Sequence, residues 1–344
     1  MKPTPKEDGF SMPAEWEPHA GCLVSWPCKE ETWRDNFDKV KRSYADVIAA
    51  INEFEPVTVL ADPSTAREAR SFLDEDIEIL ETGLNDSWVR DNGPIFVRDS
   101  AGQIAVVNFK FNSWGGKFPP FDKDDLVPIR LSEHLKMRRY DAPMVLEGGS
   151  ISVDGEGTLI TTQQCLLNPN RNPEMDREQI ERTLGDFLGI KKVIWLNKGI
   201  EGDLTDGHVD GIACFAAPRI VLAAHTKNRT DPNYRTLEEN LSIIQSATDS
   251  KGRSIEIIRL DQAGRIEVGG KEIFPDYPNH YIANGGVVVP TYGIPEDKAA
   301  LETIMTAYPG REVVEVFGGF LEIGGGGVHC ITQQIPEGAP AERL

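Results

Sequence analysis

Four short stretches of this 344-residue chain hold residue types able to do chemistry, and each contains glycine. "GGGGVHC" ends on a His–Cys pair whose thiol is Cys330. "NDSWVRDNGP" brings Asp86, Trp88 and Asp91 together, "LEGGS" carries Glu147, and "GDLTDGHVDG" carries Asp203, Asp206, His208 and Asp210. Residues two apart on extended backbone point to one face, so His208 and Asp210 would project into a common space. Ionised carboxylates only accept hydrogen bonds, whereas a guanidinium offers five N–H donors in one plane. Two aspartates gripping opposite edges of that plane would form a clamp of paired hydrogen bonds. A thiolate below the central carbon and a histidine to move protons complete a set competent for chemistry on a guanidinium. A Cys–His pair alone would suit a protease or amidase equally well; the surplus of acids turns the reading toward a cationic substrate.

Taken singly, each stretch has a plainer reading. Asp-Asn-Gly-Pro is a common turn, Glu-Gly-Gly a common bend, and a histidine beside an aspartate an ordinary polar pair. The four glycines could ease a sharp turn, or let a ligand approach the backbone beside the thiol.

The elements that must position these groups recur as strand, tight turn, strand, helix and strand. "PVTVLAD" and "DIEIL" flank a short helical segment, and residues 94–111 read as a hairpin about Ala101-Gly102. Residues 149–167 read as another, with Asp154-Gly155 at its turn. "NPEMDREQIERTLGDFLG" has acids early and Gly189 near its end, which predicts a helix before the strand "KKVIWLN". The pattern returns twice more toward the C-terminus. "LEGGSI…LITTQQC" and "LEIGGGGVHCITQQ" echo each other, with glycines set where strand is expected. Such repeats predict an α/β fold in a pseudo-symmetric closed array, whose central channel would gather distant motifs. No Ser/Gly-rich linker interrupts the chain. Residues 1–344 therefore read as one catalytic domain, with flexible segments at about 1–11 and 337–344.

Thirty-six basic against 55 acidic residues give a formal charge of −19, which argues against a nucleic-acid or anionic-membrane partner. No apolar run reaches the roughly 18 residues a membrane helix needs. The first residues lack the apolar centre of a signal peptide, and five scattered cysteines form no disulfide framework. A cytoplasmic location is expected. His19, Cys22 and Cys28 lack a CxxC pair and a fourth ligand, so no metal is expected.

"MPAEWEPHAGCLVSWP", "NDSWVRDNGP", "LEGGSISVDGEG", "CLLNPNRNP", "TDGHVDG", "YIANGGVVVP" and "GGGGVHCITQQ" resemble the agmatine deiminases of the guanidino-modifying (pentein) superfamily. The likeness runs from about Met12 to Pro336. It implies a five-bladed α/β propeller of β-β-α-β repeats, needing no cofactor. It also implies hydrolysis of a small cationic guanidino substrate to a ureido product and ammonia, most simply agmatine to N-carbamoylputrescine. By resemblance Cys330 is the nucleophile, His208 the acid–base, Asp91 and Asp210 the guanidinium holders, and Glu147 the group that orients His208. Trp88 resembles the aromatic wall beside the substrate chain, and Trp114, Gly327, Asp86 and Asp206 are expected at the substrate. One position departs from the family: Leu204 stands where a glutamate is expected to face the distal amine. That keeps arginine or another guanidine open as substrate. Amidino transfer and a non-catalytic binding propeller are the remaining alternatives. A homodimer is the commonest assembly a priori.

Overall fold

The computed structural model describes residues 3–342. Five times the chain builds the same unit: an antiparallel strand pair, then a helix that carries it to a third strand parallel to the second. Ile95–Arg98 and Gln103–Lys110 pair antiparallel, and the helix Val127–His134 returns the chain to Arg139–Val145, parallel to Gln103–Lys110. Ser152–Val153, Thr158–Thr162 and Lys192–Leu196 repeat the arrangement around the helix Arg177–Leu188. Ala213–Ala217, Ile220–His225 and Glu256–Asp261 do so around Tyr234–Ser246. Tyr281–Ala283, Gly286–Thr291 and Glu312–Phe317 do so around Glu296–Ala307. In the remaining unit the two ends of the chain meet. His19–Ser25 pairs antiparallel with Thr332–Pro336 and parallel with Val57–Ala61, across the helix Phe37–Asn52.

Local chemistry explains these elements. The helix Arg177–Leu188 opens on a capping box, Asp176 accepting from the Gln179 amide while the Gln179 side chain accepts from the Asp176 amide. It closes on Gly189 at φ 73°, a left-handed cap that a side chain would strain. The hairpin expected about Ala101-Gly102 forms there, with Gly102 at φ 79°. In the helix Phe37–Asn52 one face is buried (Val40, Tyr44, Val47, Ile48 and Ile51), packing on strands that are apolar on both faces, as in Val57–Ala61.

Two sequence expectations change in the structure. Neither glycine run continues a strand: Gly148–Ser150 is one turn of 3₁₀ helix, and Gly319–Glu322 a short α-helix leading into turns. "GHVDG" is likewise turn rather than strand, so His208 and Asp210 share a direction through loop geometry. The end segments make some contacts where described, while residues 6–9 and 337–340 are exposed. Phe10 is buried among Met12 and Tyr140, Asp8 pairs with Arg138, and Ala339–Pro340 adds a parallel strand to Gln103–Lys110. Residues 1–2 and 343–344 of those segments lie outside the described residues. Among the described residues no helix is long and apolar enough to cross a membrane.

Candidate active site

The glycine-rich end of the chain places Cys330. After the helix Gly319–Glu322 the backbone turns repeatedly and reaches Cys330 immediately before Thr332–Pro336, the strand that pairs the two ends of the chain. Close approach explains the glycines. A Cβ on Gly326 would lie 2.7 Å from the Trp88 ring and 3.1 Å from Cys330 Sγ; one on Gly327 would lie 2.7 Å from Asn279 Oδ1. Asn279 fixes the thiol: its Oδ1 accepts from the Cys330 amide and its Nδ2 donates to Sγ, both at 3.2 Å.

Two lobes of cavity meet at this sulfur. The larger, about 300 Å³, is walled by Trp88, Trp114, Phe118, Leu204 and Ile323, with Asp91 and Asp86 in it. The smaller, about 200 Å³, is lined by His208, Asp210, Asp203, Asp276, Asn279 and Glu322. Asp91 sits on the short helix Val89–Asn92, Oδ2 accepting from Trp114 Nε1 at 2.8 Å and Oδ1 from the Gly149 amide at 3.0 Å. Asp210 Oδ2 lies 3.6 Å from Sγ and 3.1 Å from His329 Nδ1. His208 Nδ1 stands 3.7 Å from Asp91 Oδ1. A single point shows their convergence. A Cβ on Gly149 would lie 2.7 Å from Asp210 Oδ2, 2.7 Å from His208 Nδ1 and 2.8 Å from Asp91 Oδ1. The "EGG" motif is thus the floor onto which both aspartates and the histidine close.

Charge at the site is unevenly held. Burial, with Asp210 and Asp91 nearby, pushes the Cys330 thiol far up, opposed by the Gly327 amide and Asn279. Burial also raises Asp91, and Asp210 and Glu147 add to this. For Asp210 the burial penalty is outweighed by the hydrogen bond and charge of His329, and it stays below the usual carboxylate range. His208 is raised well above its ordinary value: burial opposes this, but the Asp91 and Asp210 charges and the Cys165 sulfur prevail. The free site therefore pairs a protonated thiol with an imidazolium.

The remaining expected residues fall out differently. Glu147 is fully buried, but its Oε1 accepts from Arg171 Nε at 2.6 Å, and Oε2 has no partner. Both His208 ring nitrogens are likewise buried without a hydrogen-bond partner. Glu147, Cys165 and His208 place ligating atoms within 4.8 Å of one another, near enough to share an ion geometrically. Arg171 already occupies one Glu147 oxygen there. Trp88 leans on Trp33, ring centroids 5.6 Å apart, and lines the larger lobe. Asp86 lines the larger lobe but is paired with Lys29 at 3.4 Å. Asp206 is not brought to either lobe. Lys117, Asn170 and Arg171 hold it at 2.6 to 2.9 Å and lower it to about 2, so it braces the loop. Leu204 is 43 % exposed and lines both lobes, at the seam above Cys330.

The sequence reading missed Asn279, His329 and Glu15. Glu15 and His329 lie inside the quoted motifs, but no residue-type rule marked them; Asn279 carried no local signal.

Residues 11–336 match the model of the Porphyromonas-type peptidyl-arginine deiminase family. An agmatine deiminase of Pseudomonas aeruginosa is 41% identical over 357 residues, covering 97% of both chains. The chain belongs to this family and, within it, to the agmatine deiminases. The solved agmatine deiminase of Enterococcus faecalis superposes with a TM-score of 0.95 at 37% identity, over 98% of each chain. A C. jejuni agmatine deiminase, a Cys-to-Ser variant with substrate bound, superposes with a TM-score of 0.87 at 26% identity, over 96% of this chain and 97% of that one.

Proposed function

We propose that the protein hydrolyses the guanidino group of agmatine to a ureido group, releasing ammonia, through a covalent adduct on Cys330. The observation that carries this is one thiol at the seam of two lobes, with a carboxylate on either side and the His208 ring beside them. Family membership supports the same reaction. The larger lobe takes the substrate chain between Trp88, Trp114 and Phe118, and the two aspartates take the guanidinium edges.

The steps follow from the charges. The incoming cation offsets Asp91 and Asp210, the groups that hold the thiol protonated, so binding favours the thiolate, and the thiol proton passes to solvent water. Sulfur attacks the guanidinium carbon, and His208, charged at rest, gives its proton to the departing nitrogen. Ammonia leaves, neutral His208 takes a proton from water, and the hydroxide displaces sulfur to give the ureido product and free Cys330. Glu147, with Oε2 free and near His208, steadies the imidazolium.

The five strand–strand–helix–strand units, joined through the pairing of both chain ends, support a five-bladed α/β propeller forming one catalytic domain. Five unpaired cysteines fit a reducing cytoplasm. At the substrate tail, Leu204 leaves Asp86 and the exposed Glu31 as the acids of the larger lobe besides Asp91. We assign the tail ammonium to them. Ureido-product formation from agmatine and arginine tests the assignment. Preference for agmatine by tenfold or more in kcat/KM is expected; preference for arginine would overturn the substrate and leave the reaction standing.

A further inference from the structure

Behind Asp210, on the side away from the substrate lobes, runs a buried polar ladder that the reaction scheme does not use. His329, 6 % exposed, sets Nδ1 3.1 Å from Asp210 Oδ2 and Nε2 3.1 Å from both oxygens of Glu15. A neutral imidazole carries one N–H and could donate to only one of these carboxylates; with a carboxylate at each ring nitrogen, both must donate, which is the imidazolium. Arg90 braces the ladder from the helix Val89–Asn92, donating Nε to the His329 carbonyl at 3.3 Å and Nη1 to Gln334 at 2.8 Å, with Glu15 at 3.5 Å. His280 faces it from the other side but is engaged elsewhere, its Nδ1 at the Tyr277 carbonyl and its Nε2 at the Tyr308 hydroxyl. Asp91, the opposite jaw, receives the Trp114 and Gly149 donors and has His208 only at 3.7 Å.

We propose that His329, held as an imidazolium between Asp210 and Glu15, is a positioning residue that keeps Asp210 ionised and aimed at the guanidinium. This rests on the guanidinium-binding reading of the site and adds a residue set to it. The charges that face His329 are Asp210, Glu15 and Arg90, with His280 nearby; burial and Arg90 oppose its protonation and the two carboxylates favour it, with the net upward. Glu15 is drawn well below its ordinary value, burial being overcome by His329 and Arg90. The consequence is a clamp with unlike jaws. Asp210 is held from behind by a cationic partner, whereas Asp91 is held by the neutral Trp114 and Gly149 donors.

Agmatine binding to the Cys330→Ala protein, measured by calorimetry from pH 5.5 to 8.5, reads Asp210 without interference from the thiol. Adding His329→Gln keeps an amide donor and removes the charge. Affinity at pH 6 is expected to fall at least tenfold relative to Cys330→Ala alone, with the gap narrowing toward pH 8.5. Parallel curves, or equal affinity at every pH, would overturn the proposal, since a merely structural loss is not graded by pH. Glu15→Gln, at the partly exposed end of the ladder, serves if His329→Gln does not fold. It is expected to shift the curve the same way by a smaller amount, and an unshifted curve is again contrary. Turnover of agmatine by the wild type is the separate control. If neither agmatine nor arginine is turned over, the guanidinium reading fails; if turnover holds while both variants match the parent, only the ladder is wrong.

Discussion

At the scale of single residues, the site depends as much on missing side chains as on present ones. Gly149 has no steric room for a methyl group, because three reacting-site atoms already stand at 2.7–2.8 Å from where it would go. Gly149→Ala is expected to cut kcat/KM by at least about 100-fold, the scale of loss when reacting groups are displaced by about an ångström. Overpacking of this kind typically costs about 1–3 kcal/mol, so the melting temperature should fall by several degrees while the protein stays folded. Steady-state kinetics beside thermal denaturation separate the two effects. The thiol supplies a second expectation. Since burial and two carboxylates raise Cys330, the 240 nm thiolate signal that distinguishes wild type from Cys330→Ala should be absent at neutral pH and appear at a higher pH than for an ordinary cysteine in the free protein. A thiolate signal at pH 7 would contradict the substrate-assisted activation described above. Leu204→Glu places a carboxylate at the seam of the lobes and is expected to lower KM for agmatine several-fold, leaving kcat nearly unchanged. These residues differed in how far sequence exposed them. Cys330, His208, Asp91 and Asp210 were legible because their types fit one ligand and their motifs resemble a family. Asp206 looked equally eligible, but sequence does not show that Arg171 and Lys117 claim its oxygens. His329 was hidden by its neighbour: beside a reactive cysteine, its contacts 119 and 314 residues away had no local mark.

At the scale of elements, period and turn chemistry carried most of the fold. Alternating apolar runs, the Ala101-Gly102 turn and the capped helix Arg177–Leu188 all form where pattern placed them. The glycine runs misled because apolar residues flank them, and only the close approach of Trp88, Asn279 and Arg90 forces those backbones out of strand geometry. The tails are a different case. They are polar and short, and what orders them is distant: the edge of Gln103–Lys110, and a cluster holding Phe10 and Ala341. Removing residues 337–344 would uncover that edge and open the cluster. A fall in melting temperature of a few degrees with unchanged kcat is expected, whereas truncation before Thr332 removes the strand that pairs both chain ends and should prevent folding. Far-UV circular dichroism and thermal melts of the two truncations decide this; a folded protein lacking Thr332–Pro336 would show that closure is dispensable.

At the scale of the whole molecule, charge couples stability, pH and substrate. Asp124 is raised to about 7 by burial and Asp86, and Glu322 to about 8 by burial and Asp210. A carboxyl whose folded pKa exceeds its unfolded value favours the native state when protonated. Stability is therefore full below about pH 4 for these two groups and declines as pH rises toward 7 or 8. Repulsion within a chain of charge −19 acts in the same direction. The melting temperature is expected to fall between pH 5.5 and 8.5, and agmatine should restore more of it at the upper end; a rising curve would contradict the burial argument. The negative field should also steer a cationic substrate, so kcat/KM is expected to drop as ionic strength rises from 0.01 to 0.15 M, the range over which screening shortens from about 30 to 8 Å. The central claim is that Cys330 becomes covalently bonded to the guanidino carbon. Acid-quenching the protein during agmatine turnover and weighing it intact tests this most directly. A mass increase equal to agmatine less ammonia, mapped to the peptide holding Cys330 and absent from Cys330→Ala, is expected. Ureido product formed with no adduct at any quench time, or formed equally well by Cys330→Ala, would contradict it.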